Sequence, residues 1–193
     1  MQSFRWSSVD NCHQLVDLHN FNSYLLSQIK SLEKLVSSKK YLGFDPHDVK
    51  GTPLFLKALS IPRQPLLSNF IRKLYLGPLV YIESFFPRFL RFALRVKPQL
   101  NFKGLGLIAQ SYFLLYKTTS DSYWLSKGEY IIDLLISRRC VNSAHLCWGY
   151  PFDWDSGIFV PKDTPTSVVS VAVFDACWEA FLATNNEKYL EYC

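Results

Sequence analysis

Apolar positions recur at steps of three and four along most of the chain, the mark of amphipathic helices. Leu18, Phe21, Leu25, Ile29, Leu32 and Val36 form one stripe and predict a helix over 10–38, with Asp10 or Asn11 to cap it and 37–40 to end it. Residues 41–65 hold Gly43, Pro46, Gly51, Pro53, Pro62 and Pro65, which predicts an ordered but irregular connection. Residues 66–97 are apolar and basic, and Pro78 and Pro87 are expected to cut them into short helical pieces. The clearest helices cover 104–117 and 122–138, joined by a polar turn whose Asp121 or Ser122 suits a cap, so they predict an αα-hairpin. An aromatic-rich loop over 140–165 follows; loops this long in compact domains are usually functional. A last full helix is predicted over 166–183, with Val169, Val173, Cys177, Ala180 and Phe181 on one face, and a further helix begins at Lys188.

Two segments align without gaps at an offset of 65 residues: 118–125 (TTSDSYWL) and 183–190 (ATNNEKYL). Phe113 then falls opposite Trp178, and Tyr116 opposite Phe181. Each copy reads helix, polar turn, aromatic, leucine, second helix. A repeat of this length suggests stacked or circularly arranged helical hairpins. The second copy stops after one turn of its outer helix, so the chain is expected to be part of a longer all-helical protein or the product of a shortened reading frame.

The 193 residues are 49% apolar and 19% charged, a globular composition that argues against disorder and suffices for one domain over 1–193. The longest uncharged runs, such as 104–116, are too short to span a bilayer, and the start of the chain lacks the apolar core of a secretory signal. Five cysteines, an odd number without CxxC spacing, read as reduced thiols and point to the cytoplasm; no pair of histidines or cysteines has zinc-ligand spacing, and no metal or cofactor is expected. A net charge of +5 is too small for a nucleic-acid partner. The basic segment 66–97 invites a membrane-surface reading, but the prolines favour short helices whose charges face solvent. The chain lacks a G-x-S-x-G motif, a P-loop, a dinucleotide fingerprint and a zinc-protease motif, which disfavours serine hydrolases, nucleotidyl enzymes and dehydrogenases.

The chemistry concentrates on the loop. Asp153 and Asp155 are carboxylates of the kind glycoside cleavage uses, yet two residues apart on extended backbone they point in opposite directions. Asp153 is the better candidate for proton transfer; its alternative role is capping a helix or bonding loop amides. His145 is a second acid–base candidate, with a hydrogen-bonded structural role as its alternative. Trp148, Tyr150, Phe152 and Trp154 alternate and would share one face of an extended strand. Trp148, Tyr150 and Trp154 are candidates to stack on sugar rings, whereas Phe152 is expected to pin the loop to the helices. Lys162 could neutralise an acidic sugar, Asp155 is a further contact candidate, and Asp45, His47 and Asp48 form a second polar cluster.

The run 145–154 (HLCWGYPFDW), with 159–166 (FVPKDTPT), resembles a family of bacterial proteins associated with polysaccharide biosynthesis, some of them labelled delta-aminolevulinic acid dehydratases. Residues 41–48 and 101–105 (NFKGL) fit as well, so the resemblance covers most of 10–192. It implies an all-α fold of the six-hairpin, (α/α)6-toroid type, of which this chain would supply about the first half. It implies a glycan or oligosaccharide partner and a carbohydrate-active or carbohydrate-binding role, as hydrolase, lyase or epimerase if catalytic. The chain departs from the pattern at Asp155, where the family has an amide, and in being about half as long. Two alternatives stand beside this reading: a non-catalytic helical scaffold, and a remnant that self-associates or pairs with a separately encoded C-terminal half.

Overall fold

A computed structural model describes the backbone of residues 8–141, 143–155 and 157–193, and side chains from residue 22 onward. Helix accounts for 66% and strand for 5%, so the fold is all-α. The chain divides into two compact units at Leu42 and Gly43.

The first unit is dominated by α1, Ser8–Ser38. It ends where Lys40 and Tyr41 take positive φ and the Tyr41 N–H returns to the Val36 carbonyl, a left-handed stop. Leu18 and Phe21 of the predicted stripe lie outside the described side chains; Leu25 and Leu32 are exposed.

The second unit opens with a 3₁₀ turn, Asp48–Gly51, and a short helix α2, Pro53–Leu59. Irregular structure was the expectation for this stretch. Pro53 instead occupies the first helical turn, where its missing N–H costs nothing, and so starts a helix. From Leu66 onward the expected break comes at Pro87 and not at Pro78. α3, Leu66–Phe85, runs through Pro78 without interruption, and Pro87 begins α4, Pro87–Ala93. Pro78 sits on the exposed side of α3, where it leaves the Leu74 carbonyl without its helical N–H partner. Val49, Phe55 and Leu90 are buried together, and Leu76, Leu79, Ile82 and Leu94 pack against them.

The main core belongs to α5, Phe102–Thr119, α6, Ser122–Ser137, and α7, Ser167–Thr184. α5 packs on both neighbours. Trp124, Phe113, Ile131, Ile132 and Leu135 are sealed between them. A Cβ on Gly106 would collide with the Ala172 carbonyl, so this glycine lets α5 and α7 touch at backbone distance. Among the described residues α7 alone is long and apolar enough to cross a bilayer, but its packing on α5 gives that apolarity a core role.

The repeat is visible atom by atom. Ser120 and Asn185 both end their helices with φ of 54°. Thr119 Oγ1 bonds the Leu115 carbonyl and accepts the Asp121 N–H; Thr184 does the same with Ala180 and Asn186. Asp121 then caps α6 through the Tyr123 N–H, and Asn186 accepts the Lys188 N–H. Trp124 and Tyr189 follow, both buried. The copies diverge in the helix that follows the cap, which is α6 in the first and a 3₁₀ helix, Glu187–Tyr192, in the second.

Candidate functional site

The predicted loop is a folded element. Its base closes where the Cys140 N–H bonds the Cys147 carbonyl and the Thr166 N–H bonds the Trp148 carbonyl. Farther out, the Asp163 N–H bonds the Tyr150 carbonyl. Gly149 lies so close to Thr164 that a Cβ would strike its carbonyl oxygen. The tip is a small antiparallel hairpin, β1 (Trp154–Asp155) and β2 (Phe159–Val160), with Trp154 opposite Val160.

Four rings alternate along this loop; Tyr150 lies 5.5 Å from Phe152 and 6.2 Å from Trp154, so three of them gather, and Trp148 stands apart. Trp148 is fully buried, donates its indole N–H to the Leu135 carbonyl at 2.8 Å, and meets Phe174 edge to face. A ring with no exposed surface cannot stack on a sugar, so Trp148 is an anchor and its assignment as a sugar contact is corrected. Phe152 is buried as expected. Tyr150 and Trp154 remain half-exposed, with ring centroids 6.2 Å apart and planes 29° from parallel. Burial, and then the charge of Asp45, push the Tyr150 hydroxyl above its ordinary pKa.

The second polar cluster lies against these rings. His47 meets Trp154 edge to face at 4.9 Å, and Gly51 approaches the Asp153 carbonyl so closely that a Cβ would collide with it. Asp45 is buried. Its Oδ1 accepts the His47 N–H at 2.8 Å, and its Oδ2 accepts the Asn101 side-chain amide. Asn101 uses its own oxygen to cap α5 through the Gly104 N–H. Arg91 donates Nε to both oxygens of Asp48, at 3.0 and 3.2 Å, and Nη2 to the Asp45 carbonyl at 2.9 Å. Burial still raises the Asp48 pKa, against the pull of Arg91 and the Val49 N–H. A small recess lies here, lined by Asp45, Asp48, Lys97, Gln99, Asn101 and Phe152.

The other predicted residues are not brought into this group. Asp153 Oδ1 accepts the Lys162 N–H at 2.9 Å, which ties the two arms of the loop together. Asp155 Oδ1 accepts the Gly157 N–H at 2.8 Å and shapes the hairpin turn. Both carboxylates therefore do the backbone-bonding work that loop aspartates commonly do. His145 is exposed, with its backbone N–H on Ser143 Oγ. Lys162 reaches Asp163 at 3.7 Å and lines a separate cleft of about 670 Å³ with Arg138, Arg139 and Cys140. Among the described residues no three His, Cys, Asp or Glu side chains gather as metal ligands.

Arg91 and Asn101 were not singled out as site residues by the sequence. Asn101 carries a readable signal, a helix cap three residues before Gly104. Arg91 carries none, because its partners lie more than forty positions earlier in the chain. Comparisons with protein-family models, with curated proteins and with solved structures find no match to this chain.

Proposed function

We propose that this protein binds a glycan on the surface formed by Tyr150, Trp154 and His47, as a carbohydrate-active or carbohydrate-binding member of the six-hairpin type. The observation that carries the reading is the convergence of two clusters about a hundred residues apart in sequence: the Asp45–Asp48 loop lies directly against the aromatic loop. Two half-exposed rings at a shallow angle suit the apolar faces of pyranose rings. A small recess beside Phe152, lined by Asp45, Asn101 and Lys97, adds polar groups of the kind that suit hydroxyls. The recurring turns at Ser120 and Asn185 support hairpins arranged as part of an (α/α)6 toroid. The free thiols of Cys140, Cys147, Cys177 and Cys193 agree with a cytoplasmic setting linked to bacterial polysaccharide metabolism.

A glycan array followed by calorimetry tests this. Wild type binds one class of oligosaccharide, and Tyr150→Ala and Trp154→Ala each weaken it at least about tenfold, while Phe159→Ala on the exposed hairpin does not. Equal binding by all four proteins, or none by wild type, overturns the assignment. Recovery of the glycan cleaved or epimerised after long incubation identifies an enzyme; recovery intact identifies a binding module.

A second reading rests on α7. Val168, Val171, Trp178 and Leu182 lie exposed on its outer side. This face favours a helical module completed by further hairpins, from a second half or a second copy. Sedimentation of the chain as a dimer that Trp178→Glu dissociates would support it.

A further inference from the structure

We infer that α3 and α4 form a membrane-surface element that lies on an anionic lipid bilayer. α3 is amphipathic in the inverse sense for a helix of a soluble domain: its most apolar stripe points away from the core. At 3.6 residues per turn, Leu67, Phe70, Leu74, Tyr81 and Phe85 fall within about 60° of one another. Each is between 62% and 70% exposed. The opposite side of α3 is already occupied, since Leu76, Leu79 and Ile82 pack on the Val49–Phe55–Leu90 cluster. α4 repeats the arrangement in seven residues. Leu90 is buried, whereas Phe89 and Phe92 are 62% and 83% exposed, with Arg88 on the same outward side.

Charge identifies the occupant. Residues 66–97 carry Arg72, Lys73, Arg88, Arg91, Arg95 and Lys97 against one acid, Glu83. That acid is largely buried and lies 3.8 Å from Lys50, so it does not oppose an anionic surface. Arg91 is committed to Asp48, but Lys73, Arg88 and Arg95 are exposed beside the outward rings. Exposed Phe and Tyr rings flanked by Lys and Arg are the composition of helices that lie in the headgroup region of anionic membranes. The outer face of α7 makes the contrast: it is also apolar, but its helix carries Asp175 and Glu179 and no basic residue. α3 holds Arg72, Lys73 and Glu83, and it lacks the sustained apolarity of a bilayer span, so it lies on the membrane and not through it.

The test is co-sedimentation of the full chain with vesicles of phosphatidylcholine and phosphatidylglycerol, mixed at about three to one. Binding is expected, at least about tenfold weaker on pure phosphatidylcholine, and falling as salt rises. Phe89→Ser with Phe92→Ser, and separately Lys73→Glu with Arg88→Glu, should each reduce it about tenfold. These positions are exposed, so an unchanged circular dichroism spectrum is expected, and the salt titration of wild type tests the charge requirement without any variant. No binding, or equal and salt-independent binding to both vesicles, overturns the proposal. So does a wild-type dimer that the Phe89/Phe92 variant abolishes, because a second copy would then be the occupant.

Discussion

The imidazole of His47 stands edge-on to the indole of Trp154, with centroids 4.9 Å apart and planes at 66°. This contact joins the polar loop to the aromatic hairpin. Edge-to-face pairs are worth roughly 0.5–1.5 kcal/mol beyond the area they bury. A double-mutant cycle on His47→Ala and Trp154→Ala is expected to return a coupling in that range by urea denaturation. Zero coupling would mean that the loops are held together elsewhere.

Arg91 is the partner of a buried acid, and its removal should be felt as a pH dependence. Burial already raises the Asp48 pKa, and Arg91 is the main force holding it down. Without Arg91, the folded-state pKa rises further above the unfolded one. A carboxyl raised in this way favours the fold below its unfolded pKa and loses that contribution as pH rises through the folded pKa. Arg91→Ala should therefore cost roughly 3–5 kcal/mol near neutrality and recover part of it on acidification toward pH 5. Urea midpoints at both pH values check this; a loss independent of pH would be evidence against a buried carboxylate.

Gly106 sets how closely α5 meets α7. An added methyl would meet the backbone carbonyl of Ala172, which cannot rotate away as a side chain would. Gly106→Ala is expected to destabilise by about 1–3 kcal/mol, despite alanine's better helix propensity. Gly43→Ala, where nothing lies within 4 Å, serves as the control in the same thermal melts.

The thiols should be slow to react. Burial pushes Cys140 up to about 11, with the neighbouring Cys147 thiol adding to it, and pushes Cys177 up to about 12. At pH 8 the thiolate fraction of Cys140 is then roughly a hundredth of that of an ordinary thiol. Alkylation by iodoacetamide, followed site by site by mass spectrometry, should leave both sites largely unmodified while a free peptide thiol is consumed. The same shifts give a sign for stability. A thiol raised from 9 in the unfolded chain favours the fold below pH 9, and the advantage fades as pH climbs toward 12.

Helices were legible where apolar spacing and caps agreed. The boundaries of α5, α6 and α7 fall within two residues of those expected, because apolar spacing marks each helix and Asp121 is a local cap for α6. The turn repeat was legible for the same reason. The break expected at Pro87 occurs and the one at Pro78 does not, because proline position alone does not decide a break. The ring strip on the aromatic loop was half legible. Alternation was in the sequence, but the 140–165 segment turns back on itself, and Trp148 is carried inside to the Leu135 carbonyl. The pairing of Arg91 with Asp48 had no local trace, since ion pairs across forty residues follow only from the packing of α4.

The loop from Cys140 to Thr166 is closed by backbone pins at successive levels, before any ligand meets it. Its ordering entropy is thus settled during folding and need not be met again on association. If the proposed glycan reading holds, the sugar meets a loop already closed, and discrimination among sugars would be expressed mainly as differences in residence time, with arrival rates nearly the same for all of them.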